Sequence, residues 1–494
     1  MNVHNRPASQ PDTRPGDIRP ATLGDPATAV QRGHLISTAL LLAWLVVALV
    51  LSRYVPMIRG YPVHTSQAAV LVFFTLASWA LDLFREPLTT LLFFLFAVLF
   101  SIAPAATVFA GFTSPAWWLV FGGTITGIAI RTTGLAKHVA DLLLAGPWMR
   151  TYRRCLTLVA VASVMLAFVM PSTTGRVLLL TPIVLTLAGR MGFAPGSPGH
   201  TGLVMTVAAA SYMPPTAILP ANIPNSVLLG AAQNLYGIHI HYGAYFLLHF
   251  PVLGLLKTIA IVLVIGWLYP DEVVTRPIRQ TMPCRSLTGQ EVRLAAVLLA
   301  SVAGYATDTW HGISPAWISL AAGVACVLPH TRIVPVDRIT KDMHIGPLLY
   351  VAGFLGLGAV IAETGLGSWA AQWITHWLPM TAGEPAVNAL KLLVAGGGIG
   401  LLATLPGLPA VLTPLAMQWS QASSLSLYTV LMLQVPVFST VLFPWQSPPM
   451  MIAMQLGSVS VREGTRACLV LAAVTIVLLF PLDAAWWHLM RAVH

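Results

Sequence analysis

Apolar residues run through this chain in stretches too long for a soluble fold. Runs on the scale of a bilayer crossing, roughly 17–25 residues, lie near residues 34–54, 68–84, 88–112, 117–130 and 156–189. Others follow near 201–230, 244–269, 292–306, 315–328, 345–362, 389–417, 427–456 and 466–490. Several exceed one crossing and are cut by Pro, Gly or Ser. They predict re-entrant hairpins and interrupted helices, which a membrane tolerates only where protein or a water-filled cavity covers the freed backbone groups. The expected fold class is an all-α polytopic membrane protein with two re-entrant hairpins and broken helices.

The pattern is written twice. Ser172-Thr173-Thr174-Gly175-Arg176 leads to Thr181-Pro182, and Thr404-Leu405-Pro406-Gly407-Leu408 leads at equal spacing to Thr413-Pro414. Upstream of each, Gly122 to Leu135 (GGTITGIAIRTTGL) matches Gly353 to Leu366 (GFLGLGAVIAETGL). Downstream, Ala221-Asn222-Ile223-Pro224-Asn225 and Gln446-Ser447-Pro448-Pro449-Met450 each interrupt an apolar span. Three matches in the same order predict two related halves. An odd number of crossings per half makes them inverted, and paired broken helices at matching positions mark a secondary transporter with its site between the halves.

Charge sets the boundaries. The chain of 494 residues has 9% charged residues and a mean hydropathy of +0.78, against about a quarter charged in soluble domains. Residues 1–31 are polar and Pro-rich, without an apolar core, and are expected to form a disordered cytoplasmic tail; a cleavable signal peptide is not expected. The first membrane half takes residues 32–270, with its hairpin near 156–189. A basic cytoplasmic linker takes 271–291, and the second half 292–494, with its hairpin near 389–417. By the positive-inside bias, Arg6, Arg14, Arg19 and Arg32 put the N-terminus in the cytoplasm. The net charge of +10 is thus explained by topology in a cytoplasmic, or inner, membrane, and no nucleic-acid partner is expected. Cys155, Cys284, Cys326 and Cys468 lack paired spacing and are read as packing thiols.

Chemistry concentrates at the interruptions. A tip of Ser172, Thr173 and Thr174 places hydroxyls and N–H groups at a helix N-terminus, whose partial positive charge attracts anions. Such hydroxyls also bond back to the preceding turn. Asn222, Asn225, Gln446, Ser447 and Pro448 face the tips from unwound helices, and Thr404 retains a hydroxyl in the second tip. Arg176 stands alone in an apolar span, at a cost of roughly 2.5–3.5 kcal/mol for a central Arg. It reads as a fixed counter-charge for an anion or as a snorkelling residue. Lys391, Glu363, Asp82 and Asp308 are read as span-boundary residues, and His239 and His241 as solvated. No His-Glu-x-x-His, Gly-x-Ser-x-Gly or Gly-x-x-x-x-Gly-Lys motif occurs, so no enzymatic or ATP-driven activity is expected.

At these residues the chain resembles the divalent anion:sodium symporter family of the wider ion-transporter superfamily, from about Trp79 to the C-terminus. That family carries two Ser-Asn-Thr hairpin tips and two broken helices. Ser172-Thr173-Thr174 and Thr404-Leu405-Pro406 stand at the tips, and residues 221–225 and 446–450 at the breaks. Thr307 to Ala316 resembles the opening of the family's second half. The resemblance implies a homodimeric, elevator-type transporter of dicarboxylates, citrate or sulfate, with sodium as the coupling ion near Ser172, Thr174 and Thr404. Neither tip retains the family's Asn. The alternatives are a sodium-independent exchanger or exporter, in which Arg176 supplies charge otherwise brought by sodium, and a non-transporting, transporter-like membrane protein.

Overall fold

The computed structural model describes residues 26–54, 58, 60–144, 151–272, 286–381 and 383–490. These residues are helical, with no strand among them. Among the described residues, five helices are long and apolar enough to cross a membrane: Val63–Ala80, Tyr152–Val169, Tyr242–Leu268, Gly346–Glu363 and Val461–Leu489. The first helix, α1 (Pro26–Tyr54), begins inside the stretch expected to be unstructured. Residues 1–25 lie outside the described residues. So do 273–285 of the expected linker, including Cys284. The linker ends earlier than expected, because Thr288 and Glu291 form a reciprocal capping box that starts a helix at Gly289.

The first half continues with α2 (Val63–Ala80), α3 (Glu86–Leu99), α4 (Pro115–Thr133), α5 (Leu135–Leu144), α6 (Tyr152–Val169), α7 (Thr173–Arg190), α8 (Pro198–Tyr212), α9 (Ile223–Tyr236) and α10 (Tyr242–Leu268). The second has α11 (Gly289–Ala306), α12 (Pro315–Val327), α13 (Gly346–Glu363), α14 (Leu366–Trp377), α15 (Pro385–Leu402), α16 (Leu408–Leu412), α17 (Leu427–Ser439), α18 (Pro448–Leu456) and α19 (Val461–Leu489). The repeated Thr-Gly-Leu text is a stop, a turn and a restart. Gly134 (φ +82°) and Gly365 (φ +73°) lie in the left-handed region between α4 and α5 and between α13 and α14, a conformation that favours glycine.

Each overlong apolar run breaks where proline removes backbone donors. Between α8 and α9 come two 3₁₀ turns, Pro214–Ala217 and Leu219–Ala221. Between α17 and α18 comes Pro444–Gln446. The two hairpins differ. The first turns sharply between α6 and α7, and α7 runs on through Pro182. The second divides into Leu405–Gly407, α16 and Thr413–Leu415, because Pro406 and Pro409 take away further N–H groups. The last span of each half, α10 and α19, carries a π turn beside a Phe-Pro pair, at Phe250–Leu256 and Thr475–Leu479.

The halves pack crosswise. α12 lies along α4 and α3 along α13, while α18 packs on α7 and α9 on the second hairpin. Both helices of the α4–α12 pair start with the text Ser-Pro-Ala-Trp, and Ser114 and Ser314 cap them by accepting from Ala116 and Ala316. At their crossing a Cβ on Gly122 would stand 2.4 Å from the Ser319 carbonyl, so the backbones touch there. One buried cluster joins α1, α2 and α3 to α13, and a larger one takes in most of the remaining helices. Cys155, Cys326 and Cys468 are free and buried. Asp308 of the second half accepts from the Tyr242 N–H at 2.6 Å and lies 3.6 Å from His241. It therefore ties down the start of α10 in the first half.

Candidate functional site

The interruptions meet in pairs: Arg176 of the first hairpin reaches the first break, and Gln446 of the second break reaches the second hairpin. In the first tip, Met170 ends α6, Ser172 is extended, and its hydroxyl caps α7 by accepting from Gly175 N at 3.1 Å. Thr173 is buried and Thr174 half-buried. In the second tip, Thr404 is buried and its hydroxyl is 3.3 Å from the Tyr350 hydroxyl. A Cβ on Gly407 would stand 2.2 Å from the Phe354 ring, so Phe354 fits against the tip only because residue 407 is glycine.

Asn222 and Ser447 hold equivalent positions. Asn222 ends the turn Leu219–Ala221 and is the N-cap of α9. Ser447 ends the turn Pro444–Gln446 and is the N-cap of α18, with Pro448 as that helix's first residue. Neither side chain caps its own helix. Asn222 is 4% exposed and Ser447 0%, yet Asn222 Nδ2 and Oδ1 and Ser447 Oγ have no hydrogen-bond partner. Buried polar groups are nearly always bonded. These two unbonded side chains stand at the N-termini of α9 and α18, the positive ends of two helix dipoles.

The other expected residues are bonded to the protein itself. Asn225 donates to Ile218 O at 2.7 Å and Pro215 O at 3.4 Å, and its Oδ1 accepts from Tyr245 at 3.2 Å. It holds the unwound turn of the first break in shape. Gln446 accepts from Leu442 N and Phe443 N at 2.8 and 2.9 Å and donates to Gly400 O in α15 at 2.6 Å. It joins the second break to the second hairpin. Arg176 is fully buried. Its Nη1 donates to Met170 O and, at 3.0 Å, to Ala221 O, and its Nη2 to Thr173 Oγ1 at 3.0 Å and Ser211 O at 2.8 Å. The guanidinium thus sits among oxygens of the first tip and the first break. It does not reach an interface to snorkel.

Residues that sequence reasoning passed over complete the frame. Lys257, buried in α10, donates to Ser439 O at 2.6 Å and Oγ at 3.1 Å, at the end of α17. Asp483 of α19 is buried within electrostatic reach of Lys257. A lone charge inside an apolar span was the signal that singled out Arg176, and Lys257 and Asp483 carry the same signal. Tyr212 donates to Phe438 O at 3.3 Å and Tyr236 to Thr413 O at 2.8 Å, both across the halves. An open cavity of about 530 Å³ lies elsewhere, beside Ser101, His64 and Glu363, and none of the helix-break residues lines it.

Known proteins resemble this chain along much of its length. A "Membrane protein" of Cupriavidus necator is 24% identical over 275 residues, 54% of this chain and 53% of that protein. The "Inner membrane protein YbhI" of Escherichia coli is 24% identical over 64% of this chain and 71% of its own length. An "Uncharacterized transporter" of Haemophilus influenzae is 23% identical over 60% of this chain and 65% of its own. The match thus spans about half of the first relative and just under two thirds of the third. Among solved structures, the YdaH transporter of Alcanivorax borkumensis superposes with a TM-score of 0.49 at 15% identity, over 77% of this chain and 86% of that one. Residues 69–403 match the family CitMHS, described as citrate transporter. The match agrees with the ion-transporter superfamily to which the hairpin text pointed, and it falls on CitMHS within it, not on the divalent anion:sodium symporters by name. With its apolar helices and these relatives, the chain belongs to the CitMHS family, described as citrate transporter.

Proposed function

We propose that this protein is a secondary active transporter of small di- or tricarboxylates, citrate foremost, in the cytoplasmic membrane, with its N-terminus in the cytoplasm. The observation that carries the reading is the pair of buried, unpartnered side chains, Asn222 and Ser447, at the paired N-termini of α9 and α18. Carboxylate oxygens satisfy these donors and complement both helix dipoles. The tips bearing Ser172, Thr173, Thr174 and Thr404 close the site from the two hairpins. The resemblance in the hairpins supports alternating access of an elevator type by a homodimer.

The test is uptake of labelled citrate, succinate and sulfate into proteoliposomes, with sodium or choline outside and with or without anion inside. Saturable citrate uptake that Asn222→Ala and Ser447→Ala both reduce supports the reading. Uptake of none of the three anions refutes the substrate class, and non-saturable flux refutes alternating access.

A further inference from the structure

Arg176 holds a buried positive charge with no carboxylate paired to it among the described residues. Its partners are instead oxygens at the C-terminal ends of three helical segments. Met170 O closes α6, Ser211 O lies in the last turn of α8, and Ala221 O ends the turn Leu219–Ala221. Thr173 Oγ1 adds a hydroxyl. Helix C-termini carry partial negative charge and favour cations. In transporters with discontinuous helices, these ends and the unwound carbonyls coordinate the driving cation, while the N-termini face the anion. Both halves of that arrangement are present: α9 offers its N-terminus at Asn222, and Ala221 O, one residue earlier, is among the oxygens that surround the guanidinium.

The second half repeats the device with a different side chain. The last carbonyl of α17, Ser439 O, receives the ammonium of Lys257 at 2.6 Å, with Ser439 Oγ at 3.1 Å. This side chain comes from the first half and lies near Asp483. Each broken helix, α8 and α17, therefore ends on a cation that the chain supplies.

We propose that Arg176 is a tethered resident cation: its guanidinium occupies the oxygen cage where a mobile alkali cation would otherwise bind, so that the chain moves its anion without that cation. The proposal rests on the transporter reading for its consequence, but not for the cage itself. It assigns Arg176 a positioning role, holding the first tip and the first break together beside the anion, and no direct contact with substrate.

The experiment uses the full-length protein as wild type and as Arg176→Ala, Arg176→Met and Arg176→Lys. Melting temperature is measured in choline chloride against sodium chloride, and with millimolar guanidinium added, and citrate uptake is measured in the same solutions. The wild type is expected to melt at the same temperature in choline and sodium. Arg176→Ala is expected to melt lower in choline and to regain much of the loss when sodium or guanidinium enters the vacated cage, with uptake becoming dependent on that cation. Arg176→Met fills the cage with hydrocarbon and regains nothing. A wild type stabilised by sodium, or Arg176→Ala and Arg176→Met melting alike whatever the cation, overturns the proposal. If Arg176→Ala does not fold, Arg176→Lys decides: indifference to sodium supports the resident charge, and stabilisation by sodium overturns it. Should the wild type carry no citrate, the proposed function falls, while the melting series still decides the cage.

Discussion

Asn222→Ala separates a ligand-binding amide from a structural one, because the two roles predict opposite signs. The side chain is 4% exposed and neither Nδ2 nor Oδ1 is bonded to another protein group. A buried polar group left without a partner costs about 1–3 kcal/mol, so truncation relieves a penalty of that order. Asn222 makes no capping bond to α9, so the usual loss of about 1 kcal/mol on removing an N-cap side chain does not offset the gain. With an anion bound, the Nδ2 donor makes a charge-assisted hydrogen bond worth about 1.5–3 kcal/mol. Losing it weakens binding by about tenfold to a hundredfold. The expected result is a protein at least as stable as wild type whose stabilisation by citrate moves to correspondingly higher concentration. Thermal melts across a citrate titration measure both quantities, and liposome uptake adds the functional loss. A variant that melts distinctly lower while keeping wild-type citrate dependence refutes the reasoning and makes Asn222 a structural residue.

Gly407→Ala places a Cβ 2.2 Å from the Phe354 ring and should cost about 1–3 kcal/mol by overpacking; melts should show part of that loss regained in the double variant Gly407→Ala with Phe354→Leu. Lys257→Met removes the donor to Ser439 O and Oγ and should lower stability by about 1–3 kcal/mol for the buried acceptor left behind, read from the melting temperature against wild type. Cys155, Cys326 and Cys468 are buried, so a membrane-permeant maleimide should label them in denatured but not in folded protein, as mass spectrometry would record. Asn225→Ala removes the side-chain donor to Pro215 O and Ile218 O, which keep their backbone bonds from Ile218 N and Ala221 N, and should lower stability by about 0.5–1.5 kcal/mol per lost bond whether or not citrate is present.

Local text decided much of this architecture. Overlong apolar runs cut by proline became the two hairpins and the two broken helices, because a proline without an N–H interrupts the ladder wherever it falls. The two Thr-Gly-Leu sequences became left-handed glycine turns for equally local reasons. The tail and linker expected to end at residues 31 and 291 contain helix starts at Pro26 and Gly289; at the second, the capping box of Thr288 and Glu291 outweighs the polar character of the flanking segment.

Which polar residue serves which purpose was decided only in three dimensions. Asn222 and Asn225 are three positions apart and alike in sequence, yet one is spent on Pro215, Ile218 and Tyr245 while the other is left with nothing to bond. Gln446 and Ser447 divide in the same way. A hydrogen bond depends on what lies within about 3 Å, and here those partners come from turns and helices that proline breaks bring back on themselves. Arg176 shows the limit most clearly. Its sequence position declared a charge that a membrane interior must compensate, and only the folded chain, by bringing the ends of α6, α8 and the Leu219–Ala221 turn to one point, determined that oxygens at helix ends would compensate it.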